Sequence, residues 1–401
     1  MKILYHFRVR GTGAEGVHIA GITGAFQDMG HQVRFVSPTG INPITALEAR
    51  ADAPAAQPPF LARLLHHLAD RLPQPVFELM EMAYSRLAQQ RLNRTIAEYH
   101  PDLIYERFAF FNLAGTRVAL RHRIPMILEV NELSGLDRVR GQTFRNLARQ
   151  RESMALCHAN LISAVSPVLS RMAVEQRGTE QGVVTVPNGV FRTWIEKNYA
   201  EHDRITLRRQ IGIPDTALVL GFMGGLVPWH GFDFLLDLFT RLAGELPQLW
   251  LMLVGNGPLM PRLQAVAQSP AMQGRLKLIG ARPYWQTRAC VDLFDVAVIP
   301  HANEFRSPIK LFEYMGAGRA IVAAASEPIA SVVRHGQEAL LFKPMDQTDA
   351  LGALRLALSN PDLRLSLGAQ ARQKALDSCL WEHRANAILN AVRSRIVISN
   401  Q

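Results

Sequence analysis

Short runs of Val, Ile and Leu recur along this chain, each followed by a stretch of helical periodicity. Candidate strands fall at residues 3–7, 33–37, 103–106, 126–130, 161–165 and 183–186, with a second series at 218–223, 250–254, 276–279, 296–299 and 320–324. Runs that are apolar at nearly every position suit parallel strands buried on both faces. The helical segments between them make βαβ units, so the pattern predicts doubly wound α/β folds. A single open sheet of that many strands would exceed the roughly 10 that strong twist usually permits. The series also breaks at Pro187-Asn188-Gly189, a turn signal, after which residues 192–217 are polar and then helical. Two sheets of similar size with a hinge near 187–191 are therefore expected.

Composition narrows the function classes. The 401 residues are 48% apolar and 19% charged, which makes a globular chain of two or three domains. No uninterrupted apolar stretch reaches the roughly 18–20 residues of a spanning helix, and MKILYHF runs into a strand-like segment without a signal-peptide pattern. Cys157, Cys290 and Cys379 lie far apart with no CxxC, which excludes a cysteine zinc cluster and argues against a disulfide framework. A cytoplasmic setting is expected. The net charge of +10 attracts nucleic acid, anionic lipid or phosphorylated substrates. With no zinc-finger spacing, RNA-recognition signature or basic tail, nucleic acid is not an expected partner.

Two stretches depart from the alternation. Residues 40–60 contain Pro43, Pro54, Pro58 and Pro59 and read as a loop, followed by Leu61, Leu64, Leu65, Leu68 and Leu72 at the spacing of an amphipathic helix. A further helix is expected at about 76–99. Residues 138–151 carry Arg138, Arg140, Arg145, Arg149 and Arg151, and in a helix Arg145 and Arg149 share a face. Both stretches read either as ordinary surface helices or as an acceptor- and membrane-facing surface, with leucines in the lipid boundary and arginines on phosphates.

Three glycine-containing segments follow candidate strands. Gly11-Thr12-Gly13-Ala14-Glu15-Gly16 spells G-x-G-x-x-G, but Arg8-Val9-Arg10 separates it from its strand. The next strand ends in Phe35-Val36-Ser37, with no acid for a ribose, so a dinucleotide site is rejected. The loop still lets a sugar or phosphate approach the backbone, beside a helix expected to start near Val17. The segment from Gly224 to Gly231, with Gly225 and His230, again joins a strand to a helix, and its glycines permit close approach of a phosphate. The most informative segment is Ser307-Pro308-Ile309-Lys310-Leu311-Phe312-Glu313-Tyr314-Met315-Gly316-Ala317-Gly318. Pro308 suits a first helical turn. The N–H groups of Ile309, Lys310 and their neighbours, with the Lys310 charge, can hold a diphosphate, and Glu313, one turn on, can accept both hydroxyls of a ribose. The alternative is a structural Lys–Glu pair. There is no HExxH, GxSxG, Walker A or DxD pair. No metal is required if Lys310, the helix N-terminus and His230 neutralise the diphosphate.

Together these segments resemble the GT-B-fold retaining glycosyltransferases of glycosyltransferase family 4. The resemblance rests on Gly16-Val17-His18, Gly30 to Val33, Pro101 to Arg107, Glu129-Val130-Asn131, Val186 to Val190, Gly224 to Gly231, Val254 to Pro258, Ser307 to Gly318, Gly336 to Phe342, Pro344, Asp346 and Trp381. It implies two Rossmann-like domains facing a cleft. The first, residues 1–188, would bind the acceptor and be joined by a C-terminal helix, 382–401; the second, 189–381, would bind a nucleotide-sugar donor. Glu313 matches the second glutamate of the family's E-x7-E motif, while the first would fall at Phe305, with Glu304 one residue early. Gly225 and His230 stand where the family usually carries Arg and Lys. Gly255, Asn256, Gly257 and Arg282 fall where base and ribose would lie, with Gly224, Ser307, Pro308 and Leu311 around the diphosphate. Asn131 or Glu132 stands where many members carry a histidine, and is expected to touch the donor sugar or the acceptor. Glu106 and Arg107 read equally as a structural pair. Gly13, Glu15, Gly16, Val17 and His18 form an acceptor-side loop.

The activity implied is retaining transfer of a hexosyl group from a UDP- or GDP-sugar to a glycan or polyprenyl-diphosphate-linked acceptor in bacterial surface polysaccharide synthesis. It would occur at the inner face of an anionic membrane, without cofactor or metal. The alternatives are a sugar-nucleotide 2-epimerase and a non-catalytic glycan- or transferase-binding partner.

Overall fold

The structure, a computed structural model, describes residues 1–48, 72–136, 141–197, 201–272 and 274–399. It contains two compact units: Met1–Pro187 with Trp381–Gln401, and Asn188–Leu380.

Unit 1 is built on six parallel strands: β1 (Lys2–His6), β2 (Gln32–Val36), β3 (Leu103–Arg107), β4 (Met126–Val130), β5 (Leu161–Ala164) and β6 (Val183–Thr185). Their order is β2-β1-β3-β4-β5-β6, so the winding reverses between β1 and β3. In doubly wound sheets such a reversal opens a crevice at the carboxyl ends of the strands. Every residue of β3, β4 and β5 is buried, the consequence of helices covering both faces.

Unit 2 repeats the plan with β7 (Leu218–Met223), β8 (Leu249–Val254), β9 (Leu276–Gly280), β10 (Val296–Ile299), β11 (Ala320–Ala324) and β12 (Leu340–Phe342), in the order β12-β11-β10-β7-β8-β9. Side-chain alternation divides its core in two. Val219, Met252, Ala297 and Ile321 pack in one layer, and their neighbours Leu220, Leu251, Val298 and Val322 pack in the other. Each fully buried aliphatic side chain contributes about 1.5–3 kcal/mol. The chain enters and leaves unit 2 side by side, where the Val190 N–H donates to the Cys379 carbonyl at 3.0 Å.

The helix Trp381–Ser399 packs on the helix Gly13–Asp28. Gly21 makes this approach possible, since a Cβ there would lie 2.3 Å from the Trp381 indole. The helix Gln74–Tyr99 inverts the usual pattern, burying Glu78, Glu81 and Ser85 while exposing Val76, Leu79, Met80 and Leu87. Its acids have partners that the sequence does not announce. The Thr143 and Phe144 N–H groups donate to the Glu78 carboxylate at 2.7 and 2.8 Å, beside the start of the helix Arg145–His158, and Glu81 pairs with Arg8.

Several expectations are corrected. A twelfth strand, β12, joins the eleven; three residues at a sheet edge are too few to give a pattern. The first helix begins at Gly13 rather than near Val17, so most of the glycine-rich segment is helical. Residues 61–71 of the expected amphipathic helix, and Arg138 and Arg140, lie outside the described residues. Glu106 and Arg107 do not pair: adjacent on β3, they point to opposite faces and find His6 and Glu129 respectively.

Candidate functional site

In unit 2, the carboxyl ends of β7, β8 and β10 carry the loops of interest. The helix Ile309–Gly316 follows β10, with Pro308 at its N-cap rather than in its first turn. The Leu311 N–H donates to the Pro308 carbonyl at 3.1 Å, and the Leu311 side chain is fully buried. Leu311 is therefore occupied within the fold, and the first-turn N–H groups of Ile309 and Lys310 are the ones the helix geometry leaves for an outside acceptor. The helix is fixed from below by Tyr314, whose Oη accepts the Met223 N–H at 2.7 Å at the end of β7.

Lys310 Nζ sits 3.8 Å from the centroid of the Phe222 ring and 3.5 Å from His230 Nε2. Burial brings its pKa down to about 7, against the opposing pull of Glu313. Glu313 is only 5% exposed, and burial raises its pKa to about 7, with Lys310 and Tyr284 drawing it down. Tyr284 Oη is buried nearby without a well-aligned hydrogen bond. His230 Nδ1 lies 2.7 Å from the Gly225 carbonyl, so this nitrogen carries the proton and Nε2 turns its lone pair toward Lys310. Burial and the Lys310 charge hold the His230 pKa down at about 3. His230 is therefore neutral in this state and orients the ammonium rather than adding a charge. Arg306 and His301, which the sequence reasoning did not single out, also act electrostatically on His230.

The glycines make room for this arrangement. Gly224 has φ +142°, and a Cβ there would lie 2.7 Å from Lys310 Nζ. Gly255, also at φ +142°, would drive a Cβ to 1.9 Å from the Gly224 carbonyl. The loops of Gly224 and Gly255 are thus interlocked, and the Leu226 N–H donates to the Asn256 carbonyl at 3.0 Å. Asn256 Oδ1 accepts the Gly257 N–H at 2.8 Å. Arg282 is exposed just past β9. Ser307 is tied to the first turn of the unit: the Asn188 N–H donates to Ser307 Oγ at 3.1 Å, and Asn188 Nδ2 donates to the Ser307 carbonyl. Phe305 is buried where a carboxylate was looked for, and Glu304 is exposed.

Unit 1 gathers a second polar group around Glu129, which is 1% exposed. Its carboxylate receives Arg107 Nη1, Asn131 Nδ2 at 2.7 Å and the Tyr5 hydroxyl at 3.1 Å, and His18 Nε2 lies 2.9 Å away. Burial alone would raise the Glu129 pKa, but His18 and Arg107 outweigh it and hold the acid well below its usual range. His18 also meets the Trp381 ring edge-on at 5.3 Å between centroids. Gly16, Val17 and His18, in the first turns of the helix Gly13–Asp28, are buried, while Gly13 and Glu15 are exposed. Asn131 and Glu132 are half-buried past β4, with the Asn131 amide engaged on Glu129. Sequence reasoning passed over Glu129 because Tyr5, His18 and Arg107, which surround it with Asn131, lie far off in the chain.

Among the described residues no three His, Cys, Asp or Glu side chains gather in a metal-binding group, and no helix is long and apolar enough to cross a membrane.

Comparison with known proteins adds the family context. The model described as Glycosyltransferase Family 4 matches residues 15–192, and that described as Glycosyl transferases group 1 matches residues 203–374. A D-inositol 3-phosphate glycosyltransferase of Stackebrandtia nassauensis is 27% identical over 305 residues, covering 72% of this chain and 67% of that one. A lipopolysaccharide core biosynthesis glycosyltransferase of Rhizobium meliloti is 29% identical over 164 residues, 40% of this chain and 45% of the other. The chain thus spans about two thirds of the length of the inositol-phosphate relatives it matches. Among solved structures, Anabaena HepE in complex with UDP-glucose superposes with a TM-score of 0.73 at 18% identity, over 98% of this chain and 100% of that one. WaaG, a glycosyltransferase involved in lipopolysaccharide biosynthesis, gives a TM-score of 0.66 at 14% identity over 97% and 98%. These likenesses show the GT-B fold.

Proposed function

The chain belongs to the family 4, group 1 glycosyltransferases, and we propose that it moves a sugar, with retained anomeric configuration, from a nucleoside-diphosphate sugar to a hydroxyl of a glycan or lipid-linked acceptor. One observation carries this reading: Lys310 and Glu313 stand one turn apart at the start of a helix at the carboxyl edge of the unit 2 sheet. The first-turn N–H groups and Lys310 hold the diphosphate, and Glu313 takes the ribose hydroxyls. A solved structure with the same fold in complex with UDP-glucose makes UDP the first nucleotide to test.

In the reaction, the C1–O bond to the β-phosphate breaks and its electron pair stays on the diphosphate. The acceptor oxygen bonds to C1 on the same face and passes its proton to the departing phosphate oxygen. Charge grows on that phosphate in the transition state, where the Lys310 ammonium and the helix N–H groups oppose it. His230, by accepting from Lys310, keeps the ammonium aimed. Glu129, Arg107, His18 and Asn131 are placed in this reading as the rigid floor of the acceptor side. No metal is invoked.

The acceptor is read as lipid-linked because unit 1 exposes an apolar stripe of Val76, Leu79, Met80 and Leu87 on one helix face. Arg86 lies on that face, and Arg86 and Arg117 both depress the Arg151 pKa after the effect of burial, which marks a cluster of cations beside it. An anionic bilayer satisfies both features. Two experiments test the proposal. Proton NMR of product formed from UDP-glucose and a membrane lipid extract should show the donor's anomeric configuration kept, and an inverted product would reject the mechanism. Flotation with phosphatidylglycerol-containing vesicles should be lost in Leu79→Glu/Met80→Glu, and unchanged flotation would remove the bilayer from the reading.

A further inference from the structure

Three arginines from three helices converge on one face of unit 1. The helices Gln74–Tyr99, Ala114–His122 and Arg145–His158 all connect parallel strands of the same sheet, so each runs from its carboxyl edge toward its amino edge. An apolar cluster ties them together. Met82 of the first helix and Leu147 and Ala148 of the third pack with Phe110 and Phe111, in the loop that leads into the second. That loop is joined to the first helix again where the Leu113 N–H donates to Ser85 Oγ at 3.1 Å. Residues four apart share a helix face. Arg86 follows Met82, Arg117 follows Leu113 and Arg151 follows Leu147 at that spacing, so each stands one turn below the shared junction. Arg151 Nη1 reaches back to donate to the Phe111 carbonyl at 2.8 Å, and Phe111 is held in the left-handed region at φ 64°. Arg86 and Arg117 are exposed and Arg151 is half-buried.

The three charges have no counter-charge. Burial, and after it Arg117 and Arg86, bring the Arg151 pKa down, with no acid opposing them. Among the described residues no carboxylate forms an ion pair with any of the three. The acids of these helices are engaged elsewhere. Glu78 accepts the Thr143 and Phe144 N–H groups, and Glu81 pairs with Arg8. Glu152 accepts the Ser134 N–H and Gln176 Nε2, each at 2.8 Å. Glu98 faces Arg34 at 3.6 Å, and the helix Ala114–His122 carries no acid. Guanidiniums keep their charge at any working pH and bind phosphate oxygens through two parallel N–H donors. A terminal phosphate presents three oxygens, one for each fork, where a carboxylate presents two.

We propose that Arg86, Arg117 and Arg151 form a phosphate-binding site on unit 1, separate from the diphosphate site of unit 2. General attraction to an anionic bilayer requires only net charge, whereas this arrangement places one phosphate at one point. The phosphate is borne by the acceptor, an identity that rests on the glycosyl-transfer reading. A lipid headgroup presents the same chemistry, and the test separates the two. The convergence of the arginines does not depend on the donor site.

The test uses the full chain, with UDP present to occupy the donor site, and compares wild type, Arg86→Gln and Arg117→Gln. Both substituted guanidiniums are exposed and unpaired among the described residues, so without phosphate each variant should melt at or above the wild-type temperature as like-charge repulsion falls. Inorganic phosphate is titrated against the melting temperature at constant ionic strength, with chloride as the control for screening. The expected result is a saturable rise in wild type with phosphate, none with chloride, and a midpoint raised about 10-fold or more in both variants. No saturable rise, an equal rise with chloride, or an unchanged midpoint in the variants overturns the proposal. D-inositol 3-phosphate and phosphatidylglycerol vesicles separate the sources. Competition by the ester, with flotation on vesicles unchanged in Arg117→Gln, assigns the phosphate to the acceptor. Flotation lost in that variant, without competition by the ester, overturns the acceptor assignment in favour of a headgroup. UDP affinity is measured on the same samples. Protein that binds UDP without the phosphate response refutes this site alone, and protein that shows the arginine-dependent response but binds no UDP refutes the donor reading alone.

Discussion

Replacing Lys310 by Met should make the protein more stable and unable to hold its donor. The fold brings the Lys310 pKa from 10.5 to about 7. At about 1.4 kcal/mol per unit, the charged form is opposed by about 4–5 kcal/mol at neutral pH and below. The side chain is partly exposed, and Glu313 loses its attractive neighbour in the variant, so roughly half of that figure, about 2 kcal/mol, is expected to be recovered. For units of this size that is a rise of roughly 4–8 °C in melting temperature. The pH dependence carries the sharper test. A depressed lysine imposes no penalty above its unfolded pKa, an increasing one as pH falls from there toward its folded pKa, and the full one below that. The advantage of Lys310→Met should therefore be largest near pH 6–7 and shrink by about pH 9. Urea unfolding of both proteins at four pH values would read it. A variant less stable than wild type at pH 7, or a gain that does not change with pH, would refute the reasoning that burial dominates this charge.

Gly255→Ala should destabilise unit 2 by about 3 kcal/mol or more and abolish nucleotide binding, because its Cβ would strike the Gly224 carbonyl at a φ that favours glycine; thermal melting with and without UDP reads both. Glu129→Gln should cost unit 1 about 3–5 kcal/mol by leaving Arg107 buried without its counter-charge, measured by denaturant unfolding. Donor affinity should pass through a maximum near pH 7, since binding wants Lys310 protonated and Glu313 ionised and both titrate near that pH; calorimetric titration across pH 5.5–8.5 checks this, and a flat profile would contradict it.

What the sequence disclosed depended on whether the signal was local. The segment from Ser307 to Gly318 was readable because its apolar strand, loop and helix start follow one another within a few residues. The fully apolar β10, and β4 with Glu129 as its one charged residue, were readable because burial on both faces leaves little alternation to mistake. Contacts between distant residues were not readable. Asn188 anchors Ser307 across 119 positions, and Tyr5 reaches Glu129 across 124. The helix Gln74–Tyr99 was expected at about 76–99, but the face it buries was not readable, because Glu78 and Glu81 look like a solvent face until Thr143, Phe144 and Arg8 are seen to satisfy them. His230 was read as a possible cation. Only the fold shows that Gly225 and Lys310 fix it as a neutral acceptor.

The central claim is that Lys310 and Glu313 hold a nucleoside diphosphate. Calorimetric titration of UDP and GDP into wild type and Glu313→Ala tests it most directly. The account predicts that wild type binds one of the two, with affinity at least 10-fold weaker in Glu313→Ala, while inorganic diphosphate competes equally in both proteins. Absence of binding by either nucleotide, or equal affinity in the variant, would contradict it.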